Sequence, residues 1–252
     1  MSDHQLSGRT ESEVLWTQRR GFLQAAAAWT ALGGYATAQA QQRSNVVELV
    51  GDALLNGQPM RRQQSVVSGD EIQTGPASSL IFVIGNSSFQ VRQNSRLVVE
   101  RGSVINAVSV LRLITGAVGS FWGKGTQRLI VTPTLTAGIR GTSVYTEIFA
   151  DQGGRSYLCN CHGVIDVAAG NDRVVSEASY HQAFWGEVAP RNGRLLNPAG
   201  AINHTDEEME ALAALVGQRT AWQIAGRKGV KDGKGYMEAN PASAHPAEAL
   251  RR

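Results

Sequence analysis

The chain has 252 residues, with 24 Lys and Arg against 21 Asp and Glu, and a formal net charge of +3. The basic residues are spread out, with no run that would track a phosphate backbone, so nucleic acid is not an expected partner. With its first 40 residues set aside, about 212 remain, enough for one good-sized domain and a tail.

The first signal in chain order is "TQRRGFLQAAAAWTALGGYATAQAQQ", residues 17–42. Arg19 and Arg20 stand directly before an uncharged, mildly apolar run. The run is short and soft for a spanning helix, which needs about 20 predominantly apolar residues. It ends in Ala38-Gln39-Ala40, the small-x-small pattern that a signal peptidase cuts. The arginine pair followed by Gly21-Phe22-Leu23 resembles a twin-arginine export signal, here with Gln18 between Thr17 and the arginines. Residues 1–40 are therefore expected to be an export signal, removed to leave a periplasmic protein beginning near Gln41. An uncleaved anchor and an amphipathic core helix are the alternatives. Nothing after Gln41 is long and apolar enough to span a membrane as a helix.

Residues 45–187 read as one all-β domain. Short β-branched stretches, among them "VVELVG" (45–51), "SLIFVIGN" (79–86), "SFQVRQNSRLVVERG" (88–102) and "SVLRLITGAVGSFWGKG" (109–125), are separated by Gly, Asn or Asp every 8 to 12 residues. "QRLIVTPTLTAGIRGTSVYTEI" (127–148), "RSYLCNCHGVIDVAAGN" (155–171) and "DRVVSEASYHQAFWGE" (172–187) continue the pattern. This spacing predicts a twisted sandwich, a barrel or a short solenoid. Within it, Gly138 and Gly141 flank Ile139-Arg140 and mark backbone turns. Arg140 is suited to a bidentate contact with an anion or carboxylate, or to closing a turn against a neighbouring acid.

Reactive side chains cluster only at "CNCHG". On a strand, Cys159 and Cys161 share one face, with Asn160 and His162 on the other, and their Cα atoms lie about 6.6 Å apart. That spacing is at the upper limit for a disulfide, so a bridge there would be distorted and easily reduced. The readings left open are buried core thiols, a soft-metal or haem site using Cys159, Cys161 and a histidine (His181 or His162), and a strained disulfide; the c-type haem attachment signature, which needs two residues between the cysteines, is not met. A third ligand can come from the strand after "AAGND" (168–172), but register decides which. A three-residue loop sets Cys161 opposite His181, and a two-residue loop at Gly170-Asn171 sets it opposite Tyr180. Matching apolar faces favours the two-residue loop, with the cysteines in the core and His181 near His162 and Asn160. A bulge at Gly163 would undo that inference.

"NHTDEEMEALAALVGQ" (203–218) predicts a short helix, with Thr205 as N-cap, Glu208 three residues on, and an apolar stripe of Met209, Leu212, Leu215 and Val216. A helix this short is marginal alone and is expected to dock on the β domain. His204, beside the cap, reads as local structure. Residues 227–252, polar and rich in Gly and Pro, read as a disordered tail.

Several stretches together resemble the FecR-domain family of periplasmic regulators of iron transport. They are "SVVSGDEIQTGPASSLIFVIGN" (65–86) and, more specifically, "TPTLTAGIRGTSVYTE" (132–147). "SYLCNCHGVIDV" (156–167), "SYHQAF" (179–184) and "NHTDEEMEAL" (203–212) are similar to a subset of exported proteins with that domain. The resemblance implies an all-β extracytoplasmic module for signalling or ligand recognition, not an enzyme, with a protein partner or small ligand in the periplasm. Only about 20 residues precede the apolar run, fewer than the sigma-binding segment of the best-known members needs, so the resemblance is expected to extend to fold and compartment rather than to sigma-factor control. No Gly-x-Ser-x-Gly, His-Glu-x-x-His or phosphate loop occurs.

Overall fold

The computed structural model describes residues 21–25, 27–29, 44–101, 108–125 and 127–229. Arg19, Arg20, Ala38 and Ala40 of the export signal lie outside these residues, as does the tail from 230 on.

Fifteen strands, among the described residues, form two sheets joined by two long strands. The first sheet runs β1 (Val46–Val50), β5 (Ser79–Ile84), β6 (Ser87–Val91), β8 (Val108–Trp122), β11 (Thr142–Phe149), β12 (Arg155–Ala169), β14 (Gln182–Arg191) and β15 (Arg194–Ala199). The second runs β3 (Gln58–Pro59), β2 (Ala53–Leu55), β4 (Glu71–Thr74), β7 (Arg96–Arg101), β8, β9 (Arg128–Val131), β10 (Thr136–Ile139), β12 and β13 (Asp172–Ala178). The β8–β9 pair is parallel and all others are antiparallel. This is the all-β class that the alternation and turn spacing predict, in its sandwich form.

The two 15-residue strands, β8 and β12, each serve both sheets. β8 pairs with β7 up to Thr115 and with β11 from Gly116 onward. β12 pairs with β11 and β14 up to His162 and with β13 from Gly163. A glycine sits at each corner. Gly116 has φ of +75° and Gly163 has φ of +97°, a region that L side chains rarely adopt. A Cβ on Gly116 would stand 2.5 Å from the Ser95 Cα, and one on Gly163 would stand 2.8 Å from the Gly141 carbonyl oxygen. Only glycine lets the chain turn this tightly from one sheet into the other.

Between the sheets, Phe82, Phe89, Trp122, Leu158 and Phe184 of the first meet Leu97, Leu111, Ile130 and Ile165 of the second. Each such side chain, fully buried, contributes roughly 1.5–3 kcal/mol. The opposite face of the first sheet carries Ile81, Phe121, Tyr145, Tyr157, Cys159 and Cys161, and is also buried. Its cover is α1 (Asp206–Leu215), through Met209, Leu212 and Leu215, followed by α2 (Ala221–Ala225) with Trp222. Both faces of this sheet are therefore dry, which is why β5 reads as an unbroken apolar run.

The start of α1 follows its sequence signal. Thr205 Oγ1 accepts from the Glu208 amide, and Glu208 Oε2 accepts from the Thr205 amide, a complete capping box. The helix is held down by polar contacts too. Arg92 donates to both carboxylate oxygens of Glu208, at 2.9 and 3.0 Å, and Ser88 Oγ donates to the Leu212 carbonyl at 2.6 Å.

The structure differs from the sequence reading in detail. The stretch 88–102 is two strands, β6 and β7, parted at 92–95. Strands run past 187 to Ala199, and α2 has no counterpart among the expected elements. Residues 21–25 and 27–29 are helical, and Phe22 is buried against the same cluster as Ile81 and Val83. Among the described residues no helix is long and apolar enough to cross a membrane.

Candidate metal centre

The hairpin joining β12 and β13 turns through Gly170-Asn171, with Ala169 opposite Asp172. That is the two-residue loop that the matching of apolar faces favours. Continued unbroken, it would set Cys161 opposite Tyr180. The register instead slips beyond Gly163. Gly163 pairs with Ala178, while Asn160 pairs with Gln182. Two residues on β12, Cys161 and His162, are thus faced by three, Ser179, Tyr180 and His181. The slip places His181 across from Cys161, with the His181 amide donating to the Cys161 carbonyl at 2.9 Å. His181 takes φ of +26° to make this turn. The expectation that His181 lies away from the cysteines, near His162, is corrected here, and the bulge is the physical reason.

The cluster so formed contains a residue that the sequence left as local structure. His204, in the loop before α1, points into the same spot. Cys159 and Cys161 Sγ and one ring nitrogen each of His181 and His204 lie within 4.8 Å of one another. Cys159 Sγ is 3.5 Å from His181 Nδ1, Cys161 Sγ is 3.4 Å from His204 Nε2, and the two ring nitrogens are 3.0 Å apart. The cysteines and His204 have no exposed surface, and His181 is 4% exposed. Both thiols are free.

The far side of the His204 ring is fixed by an acceptor, and that of His181 has a carboxylate nearby without a well-aligned hydrogen bond. His204 Nδ1 donates to the Ile202 carbonyl at 2.7 Å, since a carbonyl can only accept. That leaves Nε2 as the lone-pair nitrogen of the neutral ring. His181 Nε2 is 3.4 Å from Asp206 Oδ1, and the other oxygen of Asp206 accepts from Tyr180 Oη at 3.0 Å and from Lys228 Nζ at 2.8 Å. The loop carrying His204 is itself pinned, because Tyr157 Oη donates to the Gly200 carbonyl and accepts from the Ile202 amide. Tyr145 stacks on His204 at 4.7 Å and 15°, and Trp222 closes over His181 at 5.2 Å.

Electrostatics follow this geometry. Burial alone would raise the Cys159 thiol, but hydrogen bonding from Cys161 and the nearby His204 and His181 hold it well below its usual value. Cys161 is pushed up by burial and by the Cys159 thiolate beside it. Burial would lower His181, yet the Cys159 thiolate and Asp206 raise it to about 9. Burial would raise Asp206, and His181 and Lys228 bring it down to about 2. Thiolate and imidazole facing one another inside an apolar box are the donors of a soft or borderline metal ion. Four donors this close leave no space for a haem macrocycle.

The remaining predicted site residues lie elsewhere. His162 has its ring against Phe121 and Trp222 and its Nε2 3.0 Å from Ser143 Oγ, outside the cluster. Arg140 is exposed in the bend between β10 and β11, 3.4 Å from Asp166 Oδ2. It pairs with a neighbouring carboxylate, the plainer of its two sequence readings.

No family model matches the chain, and no curated protein does. Two solved structures of a protein described as an anti-sigma factor, from Parabacteroides distasonis ATCC 8503, are similar to it. They share 8% and 9% identity, both with a TM-score of 0.41, over 51% and 53% of this chain. The matches span 58% and 60% of those chains, less than two thirds of their length.

Proposed function

We propose that this protein is a non-catalytic recognition or signalling module of the FecR type, working outside the cytoplasm. Its working centre is a metal ion held by Cys159, Cys161, His181 and His204. One observation carries the metal: two thiols and two imidazole nitrogens from three separate segments converge within 4.8 Å in a buried site. His204 is held from behind by the Ile202 carbonyl and His181 has the Asp206 carboxylate 3.4 Å from its far nitrogen, the kind of outer partner that orients metal-bound imidazoles. The export reading is supported by Arg19-Arg20, the uncharged run after them and Ala38-Gln39-Ala40. The two parts fit together, because a twin-arginine route passes folded proteins with their cofactors in place. An ion bound before export would shield the thiols from an oxidising compartment.

Protein recovered from the exported fraction is expected to carry about one equivalent of transition metal per chain. A Cys159→Ser, Cys161→Ser double variant should carry none, and equal metal in both overturns the metal reading. N-terminal sequencing should find Gln41 as the first residue. Intact precursor confined to the cytosol overturns the location.

A further inference from the structure

The spacing of the four donor atoms says which ion the cluster is built for and what the ion does there. A regular tetrahedron with metal–sulfur bonds of about 2.3 Å and metal–nitrogen bonds of about 2.0 Å has edges of about 3.3 Å between nitrogens and 3.5 Å between nitrogen and sulfur. The distances here are 3.0 Å between His181 Nδ1 and His204 Nε2, and 3.5 and 3.4 Å for the two nitrogen–sulfur pairs. These three edges match that figure, while the widest separation among the four donors reaches 4.8 Å. The group is thus near tetrahedral on its nitrogen side and has to draw in by about 1 Å elsewhere to close on an ion of that bond length. The 3.0 Å contact between the ring nitrogens is a hydrogen bond in the metal-free cluster, and a bound cation would take the place of its shared proton. Copper(I) would be served by the two sulfurs alone and would have no need of either imidazole.

Charge balance points the same way. Bound thiolates are deprotonated and bound imidazoles are neutral, so a divalent ion with two of each is uncharged overall. A buried site tolerates that sum best. Asp206 is matched separately by Lys228. All four ligands are shut away from solvent behind Tyr145 and Trp222, so no position is left open for a substrate or a reactive water.

Three ligands belong to the β domain: Cys159 and Cys161 on β12, and His181 just before β14. The fourth, His204, belongs to the segment that leads into α1. From this we infer that the cluster is a closed, four-coordinate site for a divalent ion of the zinc class, and that the ion clasps the C-terminal helical segment to the first sheet. The inference rests on the metal reading above and adds the ion, its coordination and its structural role.

The test uses the purified, chelator-stripped chain titrated with zinc and with cobalt(II). Cobalt should give the intense visible absorption of a tetrahedral site plus sulfur-to-metal charge transfer, displaced by one equivalent of zinc. His204→Ala should weaken zinc binding by more than about 100-fold, beyond the roughly 10- to 100-fold loss that outer-shell partners cause. His162→Gln, a neighbouring histidine outside the tetrahedron, should bind as the parent does and shows that loss of a buried imidazole is not itself the cause. Hydrogen exchange across 203–215 should slow on loading. A weak, octahedral cobalt spectrum, or unchanged zinc affinity in His204→Ala, overturns the four-coordinate assignment while leaving a metal site in place. Tighter binding of copper(I) that survives His204→Ala overturns the choice of ion. Unchanged exchange across 203–215 overturns the clasp. Failure to bind any ion overturns the metal reading itself, and this inference with it.

Discussion

Arg92→Met perturbs the contact that holds the C-terminal segment in place. Arg92 follows β6, and its side chain is 7% exposed against 1% for Glu208. The guanidinium makes two bonds to the Glu208 carboxylate, one to the Asn203 carbonyl at 2.5 Å and one to Tyr145 Oη at 3.1 Å. Its carbon also lies 4.8 Å from the centre of the Tyr145 ring. Methionine fills much of the same volume, so the loss is electrostatic rather than a cavity. Removing one member of a buried pair leaves the other's charge uncompensated and costs about 3–5 kcal/mol. Glu208 would be that orphan. Its retained bond to the Thr205 amide, at 2.8 Å, belongs to the helix cap and does not replace the cation. Equilibrium urea unfolding of metal-free protein should show a loss in this range. Adding Glu208→Gln, which keeps an acceptor for the cap and deletes the charge, should restore about 2 kcal/mol of it, the order of the penalty for a buried orphan. A loss below about 1 kcal/mol for the single variant, or a double variant no better than the single, would refute the reasoning.

Two more predictions concern the neighbourhood of the cluster. Gly163→Ala should destabilise the fold by at least about 2 kcal/mol, from strained backbone plus the approach to the Gly141 oxygen. It should also weaken zinc binding, because the register slip that sets His181 against Cys161 begins there. Gly153→Ala, at φ of +76° with nothing within 4 Å of the new Cβ, is the control and should cost only about 1 kcal/mol, measured by the same unfolding assay. The third prediction concerns pH. Burial lowers His162 from 6.5 to about 4, so below pH 6.5 the unfolded chain takes up a proton that the folded chain refuses. Stability from this group is full above pH 6.5 and falls as the pH drops towards 4, by about 3 kcal/mol in all. His181, raised to about 9, acts in the opposite sense and in a different window: its contribution is full below pH 6.5 and is lost as the pH rises through 9. Metal-free His162→Gln should therefore lose less stability than the parent between pH 6.5 and 4. Parallel curves for the two would refute the assignment.

Much of this molecule is legible along the chain. Period-two alternation and evenly spaced turn residues give an all-β domain. Thr205 and Glu208 give a capping box at the residue where α1 begins, and Gly170-Asn171 gives the hairpin turn. These are short-range facts, set by backbone sterics and by hydrogen bonds spanning a few residues. The three stretches that supply the ligands, 156–167, 179–184 and 203–212, were also visible as distinctive. A cysteine site with a histidine from the next strand is one of the readings there, but which register holds, and that His204 joins, are not legible. His181 faces Cys161 only because three residues oppose two beyond Gly163, and a one-residue slip in a strand reverses which side chains share a face. His204 sits 43 residues from Cys161 in sequence and reaches it only when α1 packs on the first sheet through Met209, Leu212 and the Arg92–Glu208 pair. Local sequence determined the strands, the turn and the helix cap. Tertiary packing alone decided that two thiols and two imidazoles meet, because that depends on the sum of a bulge, a sheet corner and a helix docking, none of which is encoded at the ligands themselves.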